Sequence, residues 1–396
     1  MKTNNGCDEM NKFTITVNKE RINSLLLVIY IFSVTLALPF EKIIGIPSLS
    51  VVIACLTVIV SFFINKSANL KMNMLIILIL VIFLMDILIF EYRQNSIKIF
   101  ILLLRWGLPA LYLSCKITDF KNLLIYWHKI GLLNLIIVNI FYILTSYKEV
   151  ENYMTVGVYL TYSFIPFIIN YYNNKNKFSL CLSIFTLIEI MVFTNRGSIS
   201  CCLIIILYME LTQNRNYKNT LKAMLKLLLL YIFALNLNYI IVVFDEIISK
   251  FGISSYSFAK LLQFKDLGLA GTSSGRNVIY EISMNIVRES NLKANGIGYF
   301  DYATGLGYPH NIILDIAISF GILGLLLFGC LIIILILKYF KSDRKNDGYN
   351  RFIVCISIYC ITRLLISSTF WSESYFWMLL GLILFNNNTK RVLNYE

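Results

Sequence analysis

Charged residues are scarce in this sequence: they make up 14% of its 396 residues, against about 25% in an ordinary soluble domain. Apolar residues make up 58%, and this balance excludes a water-soluble globular protein. Stretches such as 75–85 and 325–337 are apolar on every side, whereas the strands of a membrane β-barrel alternate apolar and polar residues. The composition therefore predicts an all-α, polytopic integral membrane protein.

Motifs of several enzyme classes are missing as well. The sequence has no P-loop, no HExxH motif, no Asp-x-Asp pair and no CxxC spacing, so nucleotide-driven and zinc chemistry have no support. Gly296 and Gly298 begin a dinucleotide-like pattern, but Asp301 stands where a third glycine is needed. The cysteines lie in the N-terminal tail or within apolar runs, which indicates no disulfide framework. We expect neither a cofactor nor a metal ion.

Apolar runs of about 20 residues, the length that crosses ~30 Å of hydrocarbon as a helix, recur along the chain. About twelve such runs are predicted as spans. They cover approximately 22–40, 46–64, 72–90, 97–115, 123–145, 153–171, 178–194, 197–211, 223–244, 311–337, 352–370 and 374–386. With a cytoplasmic N-terminus, about two-thirds of the 35 Lys and Arg residues fall in the inner segments, as the positive-inside rule expects. The net charge of +13 is therefore a topology signal and predicts no nucleic-acid partner.

This topology puts both termini in the cytoplasm and one large loop on the outer side. The predicted parts are a cytoplasmic tail at 1–21, helices 1–9 across 22–244, an extracytoplasmic catalytic loop at 245–310, helices 10–12 across 311–386 and a cytoplasmic tail at 387–396. A structureless loop of this length is unusual unless it is functional. Within it, the sequence predicts helices near 254–265 and 277–290, separated by glycine-rich turns.

Two arginines on the outer side are candidates for binding an anion. Arg196 lies at the turn between two apolar runs, where its planar guanidinium suits phosphate oxygens; the alternative is an interfacial anchor that reaches water. Arg276 follows a serine- and glycine-rich turn that runs into a predicted helix, so that its side chain and the free amides of the helix start would converge. Ser274 would cap that turn. The alternative for Arg276 is an ordinary solvated side chain.

His310 is the candidate general base. It lies where the chain re-enters the membrane after the loop, and an imidazole with an ordinary pKa near 6.5 can deprotonate a hydroxyl. The alternative is an interfacial histidine that caps the next span. Asp315 lies about one and a half helical turns further on and would line the same cavity or pair structurally. Asn311 and Tyr308 are the remaining candidates for a supporting role.

Four further charges, Asp86, Arg105, Glu189 and Arg363, fall inside predicted spans. Charged groups there are costly, so we expect them to face the interior and to pair, with partners that the sequence leaves open.

Three segments together resemble the O-antigen polymerase and O-antigen ligase superfamily. They are TNRGS around Arg196, SGR ending at Arg276, and PHNIILDIAISFGILGLLL from Pro309 onward. The resemblance implies a glycosyltransferase that uses a lipid-linked glycan as donor, with Arg196 and Arg276 on the undecaprenyl pyrophosphate and His310 activating the acceptor hydroxyl. Asn195 stands where this family often has serine.

The predicted function is polymerisation of undecaprenyl-pyrophosphate-linked oligosaccharide repeat units into an O-antigen, capsular or exopolysaccharide chain. The predicted location is the outer face of the bacterial cytoplasmic membrane. The donor, the acceptor and membrane lipid are then the expected partners, with a chain-length regulator and a flippase of the same pathway as candidates. Two alternatives stay open: a ligase that passes the glycan to lipid A-core or another surface acceptor, and a lipid-linked oligosaccharide flippase or other transporter.

Overall fold

The computed structural model describes residues 19–65, 69–144, 153–192, 196–212, 225, 275–341 and 347–385. Of these residues 86% are helical, and none lies in a β-strand. The prediction of an all-α protein is confirmed for this part of the chain.

The described helices follow the predicted apolar runs. In chain order they are α1 (Lys19–Ile31), α2 (Ser33–Ile44), α3 (Leu49–Asn65), α4 (Leu70–Ile89), α5 (Arg93–Ser114), α6 (Phe120–Leu144), α7 (Tyr153–Asn174), α8 (Lys177–Val192), α9 (Arg196–Thr212), α10 (Arg276–Glu289), α11 (Tyr299–Thr304), α12 (Ile312–Lys341), α13 (Asp347–Ile366) and α14 (Ser374–Phe385). The predicted span 223–244 and the predicted helix 254–265 lie outside the described residues, residue 225 apart. The predicted span 22–40 is two helices, because α1 and α2 meet at an angle of 60°.

Five of the described helices are long and apolar enough to cross a membrane, and the bent pair α1–α2 would make a sixth. The five are α4, α5, Phe120–Phe141 of α6, α12 and Gly348–Ile366 of α13. Helices α3, α9 and α14 are apolar but shorter. The described residues thus have the character of a membrane protein, whereas about twelve spans and the large outer loop stay predictions.

The chain divides into two compact units, Met1–Ile130 with Ser283–Glu396 (unit 1) and Gly131–Ile282 (unit 2). In unit 2, α7 packs along α8, and α9 contacts both. A polar contact lies inside this unit, where the buried Asn134 Nδ2 donates to Ser163 Oγ over 2.8 Å.

Unit 1 has an aromatic core and polar contacts at both ends. Trp127 is fully buried and its ring lies 5.1 Å from that of Phe352. At one end, Asn23 Nδ2 donates to Asn65 Oδ1 over 3.0 Å, and Ser24 Oγ donates to the carbonyl of Asp119 over 3.2 Å. At the other end of α4, the connection to α5 contacts the chain around Asn295 through Tyr92.

Helix α12 is broken at Gly321, which has φ 63° and ψ −153°. The amides of Asn295 and Gly296 donate to the carbonyls of Ile318 and Ser319, each over 3.0 Å. On the far side of the break, the Ile322 amide donates to the Leu292 carbonyl over 2.9 Å. The predicted continuous span 311–337 is therefore interrupted. Residues 322–341 still form a helix about 30 Å long, enough for one crossing.

Candidate functional site

The predicted site residues are divided between the two units. Tyr308, His310, Asn311 and Asp315 belong to unit 1, whereas Arg196 and Arg276 belong to unit 2. Ser274 lies outside the described residues. The structure thus brings the histidine and its candidate supporting residues together in one short segment that leads into α12.

His310 is half-buried and has a left-handed backbone, with φ 57°. Histidine tolerates this conformation better than most residues. The centroid of its ring lies 4.2 Å from that of Tyr308, and Pro309 between them is buried. The imidazole is therefore held against an aromatic ring at the entrance to α12.

The next residue, Asn311, is the cap of α12. Its Oδ1 accepts hydrogen bonds from the amides of Ile313 (2.9 Å) and Leu314 (3.3 Å), and its carbonyl accepts from the Asp315 amide over 2.9 Å. This is the N-cap arrangement, which satisfies amides that have no partner within the helix. The cap of α12 is therefore the residue directly after His310 in the chain.

Tyr308 precedes His310 in the chain and Asp315 follows it, and each forms a hydrogen bond with the turn that follows α13. The hydroxyl of Tyr308 donates to the Ser367 carbonyl over 3.2 Å. Asp315 is buried, and its Oδ2 accepts from Thr369 Oγ1 over 2.7 Å. The turn 367–369 therefore positions both sides of the histidine segment.

Sequence reasoning left the partner of Arg363 open, and the structure assigns it. The Arg363 Nε lies 3.6 Å from Glu373 Oε2, with side chains only 20% and 6% exposed. Arg363 Nη1 also donates to Ser367 Oγ over 2.7 Å. The Arg363–Glu373 pair thus also stabilises the turn 367–369. Glu373, Ser367 and Thr369 were not predicted; a glutamate among aromatic residues, between two apolar runs, was the available signal.

We expect Glu373→Ala to lower the free energy of unfolding by about 2 kcal/mol, because it leaves a half-buried guanidinium without its partner. Denaturant titration of the purified protein in detergent measures this loss. The Arg363→Met variant and the double variant Arg363→Met/Glu373→Ala complete a double-mutant cycle. A coupling energy near zero between the two positions would contradict the assignment.

Asp86, the second intramembrane charge, anchors the chain before α11. Its two carboxylate oxygens accept from the Ile297 amide over 2.6 Å and from Ser96 Oγ over 2.7 Å. A side chain at Gly298 would come within 2.9 Å of the Asn95 backbone. The glycines of the 296–298 pattern therefore serve close packing.

Two further contacts fix the same segment. Tyr92 donates its phenolic hydrogen to the Asn295 carbonyl, and burial raises the pKa of this phenol, so that it stays a donor. Asp301 accepts from Asn95 Nδ2 over 2.7 Å and lies 3.8 Å from Lys98 Nζ. The segment that precedes His310 is thus attached to α5 at several points.

Both candidate anion-binding arginines begin helices. Helix α9 begins at Arg196 and α10 begins at Arg276, directly after Gly275, whose φ is +76°. The helix predicted near 277–290 is therefore present, at Arg276–Glu289. The other two charges that the sequence places inside spans are Glu189, on α8, and Arg105, on α5.

Among the described residues, no group of three or more His, Cys, Asp or Glu side chains could hold a metal ion. The side chains of the His310 segment offer an imidazole, a buried carboxyl group and hydrogen-bond donors. Comparison of this chain with protein-family models, with curated proteins and with solved structures finds no match.

Proposed function

We propose that this chain is a membrane glycosyltransferase that joins lipid-linked oligosaccharide repeat units into a longer polysaccharide. It would transfer the growing glycan from undecaprenyl pyrophosphate to a sugar hydroxyl of the incoming unit, on the outer face of the bacterial cytoplasmic membrane. The observation that carries the proposal is the His310 segment, in which an imidazole at the start of α12 packs on Tyr308, while the turn 367–369 bonds Tyr308 and Asp315.

The chemistry needs a base and a means of stabilising the leaving group. The His310 imidazole takes the proton of the acceptor hydroxyl, whose oxygen bonds to the anomeric carbon of the donor sugar. The bond from that carbon to the pyrophosphate breaks, and its electron pair leaves with the phosphate oxygen. Arg196 and Arg276 would bind this oxygen-rich anion, as the resemblance implies, because preorganised guanidinium groups stabilise developing negative charge.

The contacts within unit 1 support the proposed topology. Asn65 and Asp119 lie in predicted cytoplasmic segments, and they meet the chain at Asn23 and Ser24, the cytoplasmic end of the first predicted span. The α4–α5 connection and the chain around Asn295, both predicted to lie outside, meet at the other. An active site at that second end would face the side on which the lipid-linked units are presented.

The main rival from another class is a transporter, for which charges along the span interiors would be functional. Asp86 and Arg363 favour the enzyme instead. Asp86 binds the Ile297 amide and Arg363 pairs with Glu373, so both charges stabilise the end of unit 1 that carries His310. The ligase alternative uses the same donor and differs only in its acceptor, so the test must separate the products.

The test is electrophoresis of surface polysaccharide from the source bacterium after deletion of this gene and after its restoration. We expect the ladder of chain lengths to collapse to material carrying a single repeat unit, and wild-type protein to restore it. If no glycan reached the surface acceptor while long lipid-linked polymer accumulated, the result would indicate the ligase. An unchanged ladder would contradict both enzymatic functions for this polysaccharide.

A further inference from the structure

Helix α5 changes its winding around Arg105. Residues Leu103–Gly107 form a π-helical segment, and Arg105 lies at its centre. Tyr30 is almost fully buried, and its hydroxyl lies 2.6 Å from the Trp106 carbonyl and 3.2 Å from the Arg105 carbonyl. A buried side chain on α1 thus satisfies carbonyls of the irregular turn. Such π segments frequently mark functional positions, because they redirect a side chain.

The Arg105 guanidinium has few partners. It lies 4.6 Å from the centre of the Trp106 ring, and its Nη2 donates to Ser50 Oγ over 3.3 Å. Its Nε is buried and has no hydrogen-bond partner among the described residues. The nearby Glu41 carboxylate accepts from the Ser50 amide over 2.7 Å and forms no ion pair with Arg105. Among the described residues, Arg105 thus has no ion-pair partner, although Glu41 and Arg105 both contact Ser50.

The neighbouring hairpin of α2 and α3 is short for a membrane crossing. Helix α3 has 17 residues and is therefore about 25 Å long, several Å less than the hydrocarbon core. If its Asn65 end lies at one membrane surface, Ser50 lies below the other surface. The turn before α3 is exposed and apolar, with Ile43, Ile44 and Ile46 at its surface. A short hairpin of this kind thins the bilayer locally and brings lipid headgroups down to it.

We propose that Arg105, with Ser50, binds a phosphate group of a membrane lipid at the start of α3. An intramembrane arginine is costly unless a counter-charge reaches it, and the guanidinium fork matches two phosphate oxygens. A lipid fits better than a soluble anion, because the exposed isoleucines would contact its acyl or prenyl chain. Two lipids carry this chemistry: an anionic phospholipid and a polyprenyl phosphate. The site does not depend on the proposed transferase activity.

The test compares lipid binding by the purified full-length protein and two variants. Wild-type protein, Arg105→Gln and Arg93→Gln are placed in nanodiscs of phosphatidylcholine containing a small fraction of phosphatidylglycerol or of undecaprenyl phosphate. The lipid that copurifies after extraction is counted by native mass spectrometry. Arg93 is the matched control, because it is an exposed arginine at the start of the same helix. We expect Arg105→Gln to bind the anionic lipid about tenfold more weakly and Arg93→Gln to bind it as the wild type does.

The two lipid probes identify the source of the phosphate. A loss confined to phosphatidylglycerol indicates a phospholipid site, a loss confined to undecaprenyl phosphate indicates the carrier lipid, and a loss of both supports the phosphate site without selecting a source. Equal binding by all three proteins, or no enrichment over phosphatidylcholine in the wild type, would overturn the proposal. If Arg105→Gln does not fold, Arg105→Lys replaces it: it retains the charge but loses the planar fork, so binding equal to the wild type would overturn a bidentate site. Because no transfer is measured, failure here leaves the proposed function untouched.

Discussion

Replacing His310 with asparagine is expected to abolish chain polymerisation while the protein still inserts and keeps its thermal stability. Asparagine is the informative substitute, because it also tolerates the left-handed backbone that His310 adopts. The variant removes the imidazole, the proposed proton acceptor, without adding backbone strain that alanine would bring. Loss of a general base costs about 10²–10⁴-fold in rate, which the ladder of chain lengths reports as a collapse to short products.

The control for this variant is His128→Asn, since His128 is the other histidine of the chain and lies on α6. It should restore the ladder as the wild type does. Tyr308→Phe should retain part of the activity, because the ring that packs on His310 stays while the hydrogen bond to Ser367 is lost. A normal ladder from His310→Asn, at wild-type protein level, would show that the imidazole is not the base.

The helices of this protein follow from its sequence because apolar runs flanked by polar residues are a strong local signal. The run 72–90, for example, is observed as α4 at Leu70–Ile89. Interruptions inside a run are different, since they depend on tertiary contacts. The bend at Phe32 and the break at Gly321 lie within apolar stretches whose composition does not change there. The backbone pairing of 292–296 with 318–322 could not be predicted from the residues, because amides and carbonyls are the same in every residue type.

The candidate site was predictable only in part for the same reason. His310 and Asp315 share one segment, so sequence spacing alone placed them near each other. Thr369, which bonds Asp315, and the Arg363–Glu373 pair, which contacts the same turn, come from the end of α13 and beyond it. Hydroxyl and charged side chains at such distances in sequence carry no local pattern, and only the packing of α12 on α13 brings them together.

The largest expected effect on stability is that of Gly321→Ala. The observed φ and ψ at Gly321 belong to a region that only glycine adopts readily. A Cβ there would also collide with the Leu292 carbonyl oxygen and lie 2.8 Å from the Ala294 amide. We expect the variant to lose about 2–5 kcal/mol of unfolding free energy from backbone strain and steric displacement together. Thermal and denaturant unfolding of the purified protein in detergent measure this loss.

Gly329→Ala is the matched control, because Gly329 lies on the same helix and a Cβ there meets nothing within 4 Å. Alanine favours a helix more than glycine does, so this control should be neutral or slightly stabilising. The break at Gly321 carries the contacts that hold Leu292 to Gly296, the segment before His310. Gly321→Ala should therefore reduce polymerisation as well as stability, even though residue 321 is more than two helical turns beyond the histidine. If Gly321→Ala were as stable and as active as Gly329→Ala, α12 would run straight through this position, and the pairing with 292–296 would be wrong.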